Sequence, residues 1–155
     1  MTVTDAPTDK PSPDKLSIVV YAGDYGRVHY ALAMAAAAAA MARPVTLFFT
    51  MGALRALTRH EGWRELPAGD PIETRGAPGM TGGDQDAALT AKGLGGFEEL
   101  LAACASFGVT LLVCEMGLQA LGLTKADLRD DLAYKDGGIV TFLADASAAG
   151  ATFFI

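Results

Sequence analysis

One sulfur atom occupies the position in this sequence best suited to chemistry. Cys114 follows a short apolar run, VTLLV at 109–113, and precedes EMGLQAL at 115–121, which Gly122 closes. The run is long enough for one buried strand, and the segment after it reads as a short helix. A thiol between the two lies at a strand's C-terminal end, where α/β sheets keep their ligand sites. The unpaired N–H groups of a helix start favour negative charge, and so a thiolate over a thiol. Cysteines in such places have their pKa lowered by a unit or more. The chemistry this predicts is that of a nucleophilic, exposed-on-demand sulfur, stabilised by the amides of Glu115, Met116 and Gly117, with the Glu115 carboxylate turned to solvent. The competing assignment is a small buried hydrophobe, because free cysteine is often buried.

The other chemistry-bearing residues give weaker signals. Cys104 shares a helix face with Leu100, Leu101 and Phe107, which assigns it to the core. Helical and strand rises put it roughly 15 Å from Cys114. A disulfide needs Cα atoms within about 7 Å, so Cys104 is not a resolving thiol inside one chain. His29 and His60 have no cysteine or carboxylate at ligand spacing, so no metal site is expected; surface or packing roles fit them better, the alternative for His29 being proton transfer beside Cys114. Asp24 is placed to cap a helix and Arg27 to sit in its first turn, the alternative being that Arg27 lends positive potential to the sulfur. Met51 and Met116 fall at strand ends, either as core filler or as a soft apolar wall around a reactive sulfur, and Met80 stands apart among glycines. The turn GDYG at 23–26 lacks the full G-x-G-x-x-G, and no G-x-x-x-x-G-K-[ST] occurs, so no nucleotide cofactor is indicated.

The elements that must position these groups follow from pattern. Residues 16–22, LSIVVYA, read as a strand apolar on both faces, like a central parallel strand. Residues 27–42 read as a helix with six consecutive alanines at 35–40. That helix can lie close to a sheet, or against a copy of itself in another subunit. After Pro44 comes a second strand at 45–50, VTLFFT, a turn at Met51-Gly52, and a short helix at 53–59. From 60 to 96 glycine and proline are frequent, which predicts a long functional or mobile loop with a helical turn or two at 84–92. A helix at 97–107, capped by Gly108, leads into the Cys114 strand. Thr124 starts a helical turn, 128–135 reads as connecting chain, 139–149 as the last helix and 151–155 as a final strand. Alternation of this kind predicts a three-layer αβα fold, flavodoxin-like, with a mainly parallel sheet of about four or five strands. The loops after Ala22, Thr50 and Val113 should share one sheet edge and meet around Cys114.

Totals narrow the function classes. The 155 residues fit one domain at 16–155 behind a polar leader at 1–15, MTVTDAPTDKPSPDK, expected to be disordered. Net charge is −6, from 12 basic and 18 acidic residues, which argues against a nucleic-acid partner. The apolar stretch at 30–42 falls short of the roughly 20 residues a membrane span needs. Two cysteines and no visible signal peptide make a reducing, cytoplasmic location the default.

Two runs carry a family resemblance: VCEMGLQALGLTKADL at 113–128 and GGIVTFLADASAAGATFFI at 137–155. Upstream, Gly23-Asp24 before Arg27 and PVTLFFTMGALRAL at 44–57 agree with it. The sequence resembles the DsrE/DsrF-like proteins, in particular the branch labelled peroxiredoxin-like or DsrE-like sulfur carriers. The resemblance covers 16–59 and 96–155, and leaves the middle loop aside. It implies a sulfur carrier or sulfurtransferase-like protein that holds sulfane sulfur as a persulfide on Cys114. It also implies exchange with TusA-like or rhodanese-like partners, assembly into homo-oligomers, and no cofactor. Around Cys114, the substrate would meet Gly23, Asp24, Met51, Gly52, Met116 and Gly117. The alternatives are a non-catalytic subunit binding a small ligand or protein at the same edge, and a thiol peroxidase.

Overall fold

Branched and aromatic residues build the strands at the centre of the molecule. The structure, a computed structural model, describes residues 14–70 and 77–155. The strands are β1 (Leu16–Val20), β2 (Val45–Phe49), β3 (Thr110–Cys114), β4 (Tyr134–Gly137) and β5 (Ala151–Phe154). They form one parallel sheet in the order β4-β3-β2-β1-β5. All five residues of β2 are buried, as a strand covered on both faces requires. The helices are α1 (Tyr25–Ala40), α2 (Gly82–Ala91), α3 (Phe97–Ser106), α4 (Glu115–Ala120) and α5 (Ile139–Asp145).

The two sheet faces are covered unequally. On one face Ile18, Val20, Leu47, Phe49, Leu111 and Val113 pack with α1 and α3 in the main core. The small residues of α1 allow this: Ala31, Ala35, Ala36 and Ala38 are buried, and the helix lies against the sheet. On the opposite face a second, much smaller core holds Phe48, Leu112, Cys114 and Phe142, with Val19 beside it. Phe142 belongs to α5, a helix of seven residues, and its ring stacks on Phe48 at 5.1 Å.

Several expectations are corrected. The segment 128–135 is not all connecting chain: Tyr134–Gly137 pairs with β3 as an edge strand, with Leu111 opposite Tyr134 and Cys114 opposite Gly137. The last helix stops at Asp145 rather than 149, and the helix expected at 53–59 is a 3-10 helix, Met51–Leu57. In the region 60–96, where described, the helical turns expected at 84–92 are the helix Gly82–Ala91, and the chain before it is packed into the core. A 3-10 turn, Gly62–Glu65, sets Trp63 fully inside the core, and α2 is opened by a capping box between Thr81 and Asp84. Trp63 stacks on Phe97 at 4.8 Å, and its Nε1–H donates to Glu98 Oε1 at 2.7 Å. Arg129 grips the same carboxylate through two bonds of 2.8 Å, which hold the Glu98 carboxyl below its ordinary range. Tyr25 Oη donates to Asp86 at 2.6 Å, and Asp86 also accepts from the Phe97 amide at 2.7 Å. Burial of Tyr25 and its bond to Asp86 push that phenol far above its usual pKa.

Residues 1–13 of the expected leader, and residues 71–76 of the expected loop, lie outside the described residues. The apolar stretch at 30–42 falls largely within α1, and among the described residues no helix is long and apolar enough to cross a membrane.

Candidate functional site

Parallel strands bring the loops after β1, β2 and β3 to one edge, and glycines let those loops touch. A Cβ on Gly52 would stand 2.9 Å from the Cα of Gly23, so the first two loops are in backbone contact. A Cβ on Gly117 would stand 2.7 Å from the Met51 amide nitrogen and 3.1 Å from Thr50 Oγ1. The first distance is too short for any side chain and the second is tight, so the third loop closes on the second because residue 117 is glycine. Met51, between Thr50 and Gly52, holds φ at +46°, a conformation unusual for a residue with a Cβ. Gly23, Met51, Gly52 and Gly117 thus meet at the sheet edge that carries Cys114. Met116 follows Cys114 by two residues and is half exposed.

Cys114 ends β3 and is the N-cap of α4. Its Sγ accepts the Gly117 N–H at 3.4 Å, one of the three amide contacts expected. In exposure it matches the competing assignment, a buried cysteine, and not a sulfur open to solvent. The residue is 0% exposed, enclosed with Phe48, Leu112 and Phe142. The physical reason is strand alternation. Residues 112 and 114 point to the same face, and on that face α5 lies over them. Phe48, Leu112 and Phe142 are therefore the site residues that sequence pattern did not single out. Phe142 is separated from Cys114 by almost thirty positions, and only the pairing of β3 with β4 brings α5 over the sulfur.

Asp24 does what a cap residue does. Its carboxylate accepts the Arg27 N–H at 3.0 Å and pairs with the Arg27 guanidinium at 2.7 Å. Arg27 is thus engaged with Asp24. The α1 start is also closed by the carbonyls of Pro67 and Ala68, which accept from the amides of Tyr25 and Gly26 at 2.8 and 3.0 Å. His29 Nε2 is bonded to the Gly95 carbonyl at 2.8 Å, and its ring stacks on Tyr25, a packing role. Cys104 is in the main core on the other sheet face; its Sγ donates to the Leu32 carbonyl at 3.5 Å, and burial pushes its thiol up to about 11.

A cavity of about 590 Å³ opens between α1, α2 and the end of the sheet, lined by Asp24, Tyr30, Met34, Leu89, Leu94 and Ile155 among others. Cys114 does not line it. The cavity reaches the sheet at Ile155, just past β5, on the side where strand order turns back from β1 to β5; the C-terminal edge beside such a reversal is where open α/β sheets bind ligands. Sulfur and cavity are two separate features of one sheet edge.

The molecule is thus a five-stranded parallel sheet with helices on both faces and a capping thiol at its C-terminal edge. The chain belongs to the DsrE/DsrF-like family, whose family model matches residues 14–152. In sequence it is similar to the uncharacterized protein YrkE of Bacillus subtilis (strain 168), 29% identical over 157 aligned residues that cover 91% of this chain and 96% of that protein. In structure it is similar to the ychN protein from E. coli, with a TM-score of 0.54 at 15% identity over 92% of this chain and 99% of that one. At that identity the likeness speaks for the fold alone.

Proposed function

We propose that this protein is a sulfur carrier that holds sulfane sulfur as a persulfide on Cys114 and passes it to a partner of the TusA-like or rhodanese-like kind. The observation that carries the reading is the Gly117 N–H aimed at the Cys114 Sγ from the first turn of α4. A backbone donor at that place favours the charged form of sulfur, thiolate or persulfide. In the transfer step the Cys114 thiolate attacks the outer sulfur of a donor persulfide. The donor's S–S bond breaks, its thiolate departs with the electron pair, and Cys114 keeps the sulfur as a new S–S bond. No metal or redox cofactor enters that exchange. Because Cys114 is enclosed, loading requires α5 to lift Phe142 from Phe48. On this reading the half-exposed Met116 and the neighbouring-loop Met51 supply soft side chains for the incoming sulfur. A reducing compartment keeps such a thiol available.

Incubation with a polysulfide donor, followed by intact-mass spectrometry, tests this. Wild type and Cys104→Ser gain the mass of whole sulfur atoms, and Cys114→Ser does not. Equal loading of Cys114→Ser and wild type would end the carrier reading.

The second reading is a binding subunit that does no sulfur chemistry. Complete burial of Cys114 favours it, and the 590 Å³ cavity is of a size to hold a small ligand. Under it, native Cys114 stays inert to thiol reagents at every concentration of donor, while the carrier reading requires reaction.

A further inference from the structure

The sheet has two edges, and they are treated differently. At one edge, β4 has the sequence YKDG; it carries Lys135 and Asp136, and Asp136 is ion-paired to Lys125. Charge of that kind keeps an edge strand from pairing with another chain. At the other edge, β5 is ATFF, with neither charge nor proline. Its hydrogen bonds to β1 come from the odd-numbered residues: the Ala151 N–H goes to the Lys15 carbonyl and the Ile155 N–H to the Val19 carbonyl. The backbone groups of Thr152 and Phe154 therefore point away from β1, outward from the edge.

Apolar surface flanks this bare edge on both faces. On one face Phe154 is 69% exposed and touches the half-exposed ring of Tyr21 at 5.3 Å. On the other, Phe153 is half exposed, and the outer stripe of α1 runs alongside, with Tyr30 at 65% exposure and Met41, just past the helix end, at 75%. Tyr30 and Met34 share a cavity wall with Ile155, which puts that stripe beside β5. Together these five exposed side chains offer roughly 600 Å² at about 200 Å² per full side chain. A stable partner contact takes about 800 Å² per side, and the strand's own backbone contributes the balance.

We propose that β5 pairs antiparallel with the β5 of a second copy of this chain across a two-fold axis, joining two five-stranded sheets into one of ten. A second copy is the occupant because the edge is self-complementary. Thr152 meets Phe154 of the partner and exchanges both backbone hydrogen bonds with it. Phe153 lies on the axis opposite its own counterpart, in a pair with Cα atoms about 4.5 Å apart. The apolar rows on either side then continue across the junction, and the charged β4 edges stay at the two outer ends.

Two measurements on the full chain test this. Light scattering after size exclusion gives the mass of wild type and of Thr152→Pro. The outward Thr152 N–H has no partner in β1, so proline there leaves the β1–β5 ladder intact and removes only the pairing between copies. The expected result is a dimer-based mass for wild type and at least a tenfold weaker association for T152P, with an unchanged circular dichroism spectrum. In a Cys104→Ser, Cys114→Ser background, Phe153→Cys forms a disulfide-linked dimer under mild oxidation, because the axis brings its Cα within reach. A monomeric wild type overturns the proposal. So does an assembly that T152P leaves untouched, or an F153C chain that does not cross-link. None of these outcomes bears on whether Cys114 takes up sulfur.

Discussion

If α5 is what stands between Cys114 and solvent, Phe142→Ala exposes the sulfur. The substitution removes the one large α5 side chain that is buried, the ring stacked on Phe48 at 5.1 Å, and leaves a void over Leu112 and Cys114. Truncating a buried phenylalanine costs about 3–5 kcal/mol. The lower figure applies to α5, whose Ile139, Val140 and Leu143 already lie at the surface and lose nothing. With opening confined to α5, about 3 kcal/mol at about 1.4 kcal/mol per decade raises the open population roughly a hundredfold. The assay is the rate at which an aromatic disulfide reagent labels Cys114 in native protein carrying Cys104→Ser. A matched control is Leu101→Ala, a comparable truncation in the main core on the other sheet face. Local opening predicts a rate near a hundred times wild type for Phe142→Ala and a far smaller change for Leu101→Ala. Equal acceleration by both variants means that the thiol is reached only through global unfolding, and refutes α5 as the gate.

The remaining expectations concern the frame of the site. Gly117→Ala drives a Cβ to 2.7 Å from the Met51 nitrogen and 2.8 Å from Leu54 Cδ1, so it should cost about 1–3 kcal/mol in urea unfolding and lower sulfur uptake at Cys114. Trp63→Ala should destabilise by about 3–5 kcal/mol, which thermal melting reads directly; a change under about 1 kcal/mol would mean that 60–96 is not braced as described. Glu98 has its folded-state pKa lowered by Arg129, so its contribution is complete at neutral pH and fades as pH falls below the ordinary value of 4.5 and through the folded one. The stability gap between wild type and Glu98→Gln should therefore shrink from about pH 7 to about pH 3 in urea melts; a constant gap rules the ion pair out as its source.

How far the sequence discloses this molecule depends on which forces hold each part. Strands β1, β2, β3 and β5 show in the sequence because branched and aromatic residues are grouped there, and the parallel order follows from the helices between them. β4 does not show, because Tyr134–Gly137 carries no apolar pattern and is a strand only by virtue of β3 beside it. Glycine and proline suggest a loose loop from 60 to 96, yet Trp63, Leu66 and the Thr81-Asp84 box were visible signs of built structure. The convergence of the Gly23, Gly52 and Gly117 turns follows from strand direction and was foreseeable. Burial of Cys114 stood as the competing assignment, but what covers it was not legible. The cover depends on Phe142 crossing to Phe48, a contact between distant segments that leaves no trace in local periodicity.

The backbone of Met51 carries a further consequence. Its φ of +46° is comfortable for glycine and costs other residues about 1–2 kcal/mol. Glycine there relieves that strain, and the relief is set against the added entropy of the unfolded chain. A laboratory selection for thermal tolerance would thus be drawn to the rim of the thiol site itself. Its winners would trade a polarisable thioether for a relaxed backbone in the one place where losing it shows.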